Sequence, residues 1–158
     1  VQRVLQNLLN ERVSIRDLPT ILEGISEACS VTQSLMLITE HVRSRLARQI
    51  SNAAAGPDGI IPLVAMSGEW EQHFAESLSG QGEEKQLSMP PSQIQKFILR
   101  VRQVFEDQAA RGESPVLLTS PGIRPYVRSI IERFRPSTVV ISQNEIHPRA
   151  KIRTVGQI

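Results

Sequence analysis

Five residues, Ala55-Gly56-Pro57-Asp58-Gly59, hold two glycines, a proline and an aspartate, and no regular helix or strand runs through such a stretch. They divide the 158-residue chain into two parts with different periodicities. Before the break, apolar residues recur at helical spacing only. After it, short apolar runs alternate with helical stripes.

In the first part, Val1, Val4, Leu5, Leu8 and Leu9 fall on one helical face. Glu11 to Arg16 breaks that pattern. Asp17 then reads as an N-cap with Pro19 in the first turn, and Leu18, Ile21, Leu22, Ile25 and Cys29 continue at helical spacing. Cys29 is expected as a small core residue at that helix's end. Thr32 reads as the cap of one long helix to about Ala54, with the stripe Leu35, Ile38, Val42, Leu46, Ile50 and Ala53. Glu40 and Arg43 are spaced for a weak i,i+3 ion pair. About 55 residues is little for a separate core, so this part is expected to lean on a neighbour.

In the second part, Ile60 to Met66 reads as a strand, with Pro62 pointing to its start or to a sheet edge. Ser67 caps a helix with Glu69 and Glu71 in its first turn and Trp70, Phe74 and Leu78 inside. Ser79 to Lys85 is a polar, Gly-rich loop. A helix follows from about Pro91, with Ile94, Phe97, Ile98, Val101, Val104 and Phe105 buried and Gly112 as its left-handed stop. Pro115 to Thr119 and Thr138 to Ile141 read as strands flanking a helix opened by Ser120-Pro121. Lys151 to Val155 reads as a half-exposed last strand. The expected fold class is α/β: a small all-α part, then an α/β part with a mostly parallel sheet of about four strands.

Charge narrows the function. Eighteen Lys and Arg against sixteen Asp and Glu give a net +2, too little for a general nucleic-acid binder. Residues 1–59 are balanced, with six charges of each sign. Residues 60–119 carry five basic and eight acidic residues, and residues 120–158 seven and two. The basic end (Arg124, Arg128, Arg133, Arg135, Arg149, Lys151, Arg153) reads either as a solvated helix face with a guarded strand edge, or as a docking face for an acidic partner. One cysteine excludes an intrachain disulfide and fits a reducing compartment. No run approaches the roughly 18 to 20 apolar residues of a membrane span, and no secretory leader is visible. An opening Val1 instead of Met is what a fragment or processed chain would show.

Motifs for chemistry are sparse. Leu118-Thr119-Ser120-Pro121-Gly122 lacks the first glycine of a nucleophile elbow, so Ser120 is expected as a helix cap. The alternative is a small α/β nucleotide- or phosphate-binding domain, or enzyme, using that turn. Gly80-Gln81-Gly82 has no following Lys-Ser/Thr and is followed by acids, against a phosphate loop. His41, His73 and His147 share no ligand spacing. No catalytic residue, metal or cofactor is expected.

Five segments carry a resemblance: Arg3 to Leu18, Leu46 to Ile50, Pro115 to Pro121, Ile123 to Arg128 and Gln143 to Ile146. In this order they resemble the C-terminal end of the export-gate (FHIPEP) family of type III protein secretion, with its flagellar and injectisome members. The resemblance implies a helical ring-forming subdomain over 1–56 and a C-terminal α/β subdomain over 59–158. It implies a non-enzymatic homo-oligomer, a nine-fold ring in the full protein, that docks export substrates, their chaperones and the export ATPase stalk. Flagellar assembly is favoured over a virulence injectisome. The parent would sit in the bacterial inner membrane through a half upstream of Val1, with this part on the cytoplasmic side. Arg12, Arg16, Asp17, Arg43 and Arg48 are then expected at the subunit interface, and Arg124, Arg128 and Arg133 on a partner-docking face.

Overall fold

The computed structural model describes all 158 residues. Four helices come first: α1 (Gln2–Asn10), α2 (Leu18–Cys29), α3 (Leu35–Arg45) and α4 (Ala47–Ala54). Then follow β1 (Ile60–Ala65), α5 (Gly68–Glu76), a two-residue-stranded hairpin β2 (Leu78–Ser79) and β3 (Gln86–Leu87), and the long α6 (Pro91–Ala110). The chain closes with β4 (Val116–Thr119), α7 (Arg124–Phe134), β5 (Val140–Ser142), a 3-10 turn (Gln143–Glu145) and β6 (Lys151–Gln157).

The main sheet is all parallel, in the order β5-β4-β1-β6. Both faces are covered, which is why its central strands read as unbroken apolar runs. Ile61, Leu63, Val116 and Ile141 face α1 to α4, where they join Val4, Leu8, Ile21, Val42, Leu46 and Ile50. Val64, Leu117 and Val140 face the other way, into Phe74, Phe97, Val101, Val127 and Ile131. The four N-terminal helices therefore complete their core on the sheet, as their small size requires.

Local chemistry sets the element ends. Asp17 caps α2, its Oδ1 accepting from Thr20 N at 3.3 Å, and Ser67 caps α5 from Trp70 N at 3.3 Å. Gly112, at φ 79°, ends α6 in the left-handed region, and the Glu113 N–H returns to the Gln108 carbonyl at 2.9 Å. Arg12 does the same after α1 at φ 60°, with Val13 N donating to Leu8 O at 2.9 Å. There a side chain occupies a conformation that favours glycine.

Four local expectations are corrected. The helix after Thr32 is two helices: Ser34 is the cap, and the chain turns at buried Leu46. Just before that turn the Ser44 hydroxyl donates to the His41 carbonyl at 2.6 Å, competing with the helical ladder. Cys29 is exposed, because α2 turns Ile21, Gly24 and Ala28 inward instead; a Cβ on Gly24 would lie 3.2 Å from Val42 Cγ2. Pro62 lies in a central strand. The Ala65 carbonyl bonds Ile158 on the β6 side, so alternation turns the Pro62 nitrogen toward β4, whose ladder starts only at Leu63. Finally, α7 starts at Arg124, so Ser120 does not cap it.

Candidate docking surfaces around a buried charge network

Three arginines and three glutamates from four parts of the chain meet where the N-terminal helices cover the sheet. Arg43 of α3 is 1% exposed; its Nε and Nη2 donate to the Glu145 carboxylate at 3.1 and 2.7 Å. Arg124, at the start of α7 and also 1% exposed, grips two carboxylates at once. Its Nε and Nη2 donate to Glu40, both at 2.7 Å, and its Nη1 and Nη2 to Glu11 at 2.8 and 2.9 Å. Nη1 also donates to the Val140 carbonyl at 2.9 Å. Arg128, one turn on, donates to the Thr138 carbonyl at 3.1 Å and lies 3.6 Å from Glu11.

The network is balanced, three positive against three negative, as burial demands. The planar fork of arginine suits two bidentate pairs, a geometry lysine does not offer. Burial works to raise the Glu11 carboxyl, but hydrogen bonds from Arg124 and the charges of Arg124, Arg43 and Arg128 hold it below its ordinary value. Burial likewise opposes charge on Arg124, yet Glu11 and Glu40 hold its proton more tightly than usual.

These contacts correct the expected roles of three residues. Arg43 is not available to a neighbouring subunit, and Arg124 and Arg128 are not a docking face, because their charges are met inside the chain. The expected Glu40–Arg43 pair is replaced by Glu40–Arg124 and Arg43–Glu145. Glu11 and Glu145 escaped sequence reasoning as partners, and Glu40 was matched to the wrong arginine, since the actual contacts span 84, 102 and 113 residues. One signal was legible: Ser142 and Glu145 have capping-box spacing, and the box forms.

The other expected residues stay outside. Arg12, Arg16, Asp17, Arg48 and Arg133 are exposed. Asp17 and Arg48 line one shallow groove with Arg45 and Gln49, which places them together; Gln49 Nε2 ties α4 to the Ser14 carbonyl at 2.7 Å. Arg133 sits apart, on α7. Beside Asp17, α2 presents an uncovered apolar strip: Leu18 and Leu22 are 44% and 47% exposed, with Cys29 on the same face.

The Ser120 turn is occupied by an internal carboxylate. Glu71 accepts from Ser120 N at 3.0 Å and from Ser120 Oγ at 2.6 Å, so both donors are used and negative charge already stands there. A phosphate would meet repulsion at this turn, which counts against the phosphate-binding form of the alternative reading. No group of three or more His, Cys, Asp or Glu is arranged to hold a metal, and no helix is long and apolar enough to cross a membrane.

Fold and surface define the class first: a three-layer α/β protein with an all-parallel sheet, a charged internal seam and an apolar strip left outside. The chain belongs to the FHIPEP family, whose profile matches residues 1–151. It is 63% identical over all 158 residues to the flagellar biosynthesis protein FlhA of Caulobacter vibrioides, and spans 23% of that protein's length. Its fold is that of the Chlamydia pneumoniae CdsV protein in complex with CdsO, with a TM-score of 0.88 and 32% identity, covering 99% of this chain and 47% of that one. It also matches the nonameric EscV cytosolic domain from the type III secretion system, with a TM-score of 0.81 and 27% identity, covering 99% of this chain and 46% of that one.

Proposed function

We propose that this chain is part of the cytosolic portion of a type III export gate and helps form a homo-oligomeric ring on which export substrates, chaperone complexes and the ATPase stalk dock. The observation that carries the reading is the whole-length similarity to a flagellar biosynthesis protein, which also favours a flagellar system. The parent then sits in the bacterial inner membrane, with this part on its cytoplasmic side and no catalytic step to perform.

Residues 1–56 supply the ring contacts and residues 59–158 the docking part. The ring contacts fall on Arg12, Arg16, Asp17 and Arg48, all exposed; Asp17 adjoins Leu18 of the apolar strip of α2 in the chain and shares a groove with Arg48, and an apolar patch bordered by charge is what an assembly surface presents. A relative solved as a nonamer supports the ring, and one solved with a second protein supports docking. Of the expected docking arginines, Arg133 remains, exposed on α7.

The test is a full-length gate carrying Arg16→Ala with Arg48→Ala, and a second carrying Leu22→Glu. Both variants are expected to lose rings by electron microscopy and to lose secretion, while the isolated chain unfolds at the wild-type urea midpoint. Unchanged rings in both contradict the interface.

A further inference from the structure

Strand β6 is an edge of the sheet, and its two halves are treated differently. In the C-terminal half, side chains from α6 cap the outward carbonyls: Gln108 Nε2 donates to Val155 O at 2.8 Å, and Arg100 Nη2 to Gln157 O at 3.1 Å. In the other half, residues 151–154 are all exposed, and their backbone bonds only to β1. The ladder alternates. Since the backbone N–H and C=O of Ile61 and Leu63 point toward β6, Lys151 and Arg153 bond inward, and the N–H and C=O of Ile152 and Thr154 point away from β1. Ile152, half exposed, adds apolar surface beside them.

A cleft of about 350 Å³ opens at the start of this half-strand, lined by Arg48, Ser51, Asn52, His147, Arg149 and Lys151 among others. Arg149 and Lys151 have no carboxylate within 4.0 Å. The one acid lining the cleft, Asp58, accepts from Ile60 N at 3.0 Å. Charge guards an edge against like-charged strands. The same charge selects a strand of opposite sign.

We propose that the open half of β6, with Arg149 and Lys151 beside it, docks an extended acidic segment of a partner protein by strand addition. The added backbone bonds to Ile152 and Thr154, and acidic side chains at alternate positions meet Arg149 and Lys151. The caps at Val155 and Gln157 stop the added strand after a few residues. Arg48 borders both this cleft and the groove assigned to the ring, but the proposal rests on Arg149, Lys151 and the strand edge, which the ring variants leave unchanged, so the two fail separately.

The test uses the whole chain and a fluorescein-labelled peptide alternating Glu and Val, followed by anisotropy at moderate salt. The peptide is expected to bind, and its Lys-Val counterpart not to. Thr154→Pro removes an outward N–H without touching the β1 ladder, and is expected to weaken binding about tenfold or more with the urea midpoint retained. Arg149→Glu with Lys151→Glu weakens it similarly. Hydrogen exchange is expected to slow at the Ile152 and Thr154 amides on binding, and not at Lys151 or Arg153. No binding overturns the proposal. Binding that survives Thr154→Pro, with no slowed exchange at Ile152, is charge attraction without strand addition and also overturns it. Protection of the same amides in the free chain that rises with protein concentration identifies a second copy as the occupant and overturns it too.

Discussion

On one face of the sheet, Phe97 lies edge-on to Phe74 and Trp70, with ring centroids 4.9 and 5.2 Å apart, inside an apolar cluster. On the other face the apolar core is bordered by six ionisable side chains that tie α1, α3, α7 and the turn after β5 together. The two faces differ in what they specify. Apolar packing is non-directional, so the α5–α7 face gains area but tolerates small shifts. Bidentate arginine pairs are satisfied in one register only, so the network fixes how the N-terminal helices sit on the sheet. Two charges left unmatched there would cost more than the network returns, which makes the seam an all-or-none feature.

The largest effects should come from breaking each face once. Arg124→Ala strands the Glu11 and Glu40 carboxylates and is expected to cost about 3–5 kcal/mol by urea unfolding at neutral pH. Phe97→Ala is expected to cost about 3–5 kcal/mol through the lost contacts and cavity. Acid should separate these two similar numbers. The Glu11 carboxyl is lowered in the folded state, so its contribution is present above its unfolded value, near 4.5, and is lost as pH falls through the folded value. The cost of Arg124→Ala should therefore shrink below pH about 4.5 as the stabilisation tied to the Glu11 carboxylate is lost from the wild type, while that of Phe97→Ala stays level. Parallel pH profiles would contradict the contrast.

A smaller effect probes how tightly the helical layer is packed within itself. Gly24 lets α2 approach α3, its ideal Cβ position lying 3.4 Å from the Val42 Cα. Gly24→Val is expected to cost about 1–3 kcal/mol by overpacking, read as a lower melting temperature. The smallest effect has the opposite sign. Arg12→Gly relieves a left-handed residue next to Glu11 and is expected to raise stability by about 1 kcal/mol. The same variant should weaken ring assembly of the full gate if the Arg12 side chain contacts a neighbour, so calorimetry and microscopy would move in opposite directions.

Much of the architecture was legible because it is local. The Ala55–Gly59 break, the caps at Asp17 and Ser67, the stop at Gly112 and the strand–helix alternation each depend on a few adjacent residues. The reversals share another cause. Arg124 and Arg128 look like surface charge until topology brings Glu11 and Glu40 over them from the far end of the chain. Cys29 and Ala28 are neighbours, and only the close approach at Gly24 decides which faces inward. Pro62 reads as an edge residue unless β4 is known to start one position later. Ser120 reads as a cap until Glu71 is seen to hold it.

The central claim is that these arginines serve the fold and leave docking to the outer surface. A double-mutant cycle of Glu11→Ala with Arg124→Ala, followed by urea unfolding at neutral pH, tests it most directly. A coupling of about 2 kcal/mol or more is expected, within the range seen for contacting charged residues. Additivity within about 0.5 kcal/mol, with both single variants near wild-type stability, would contradict it.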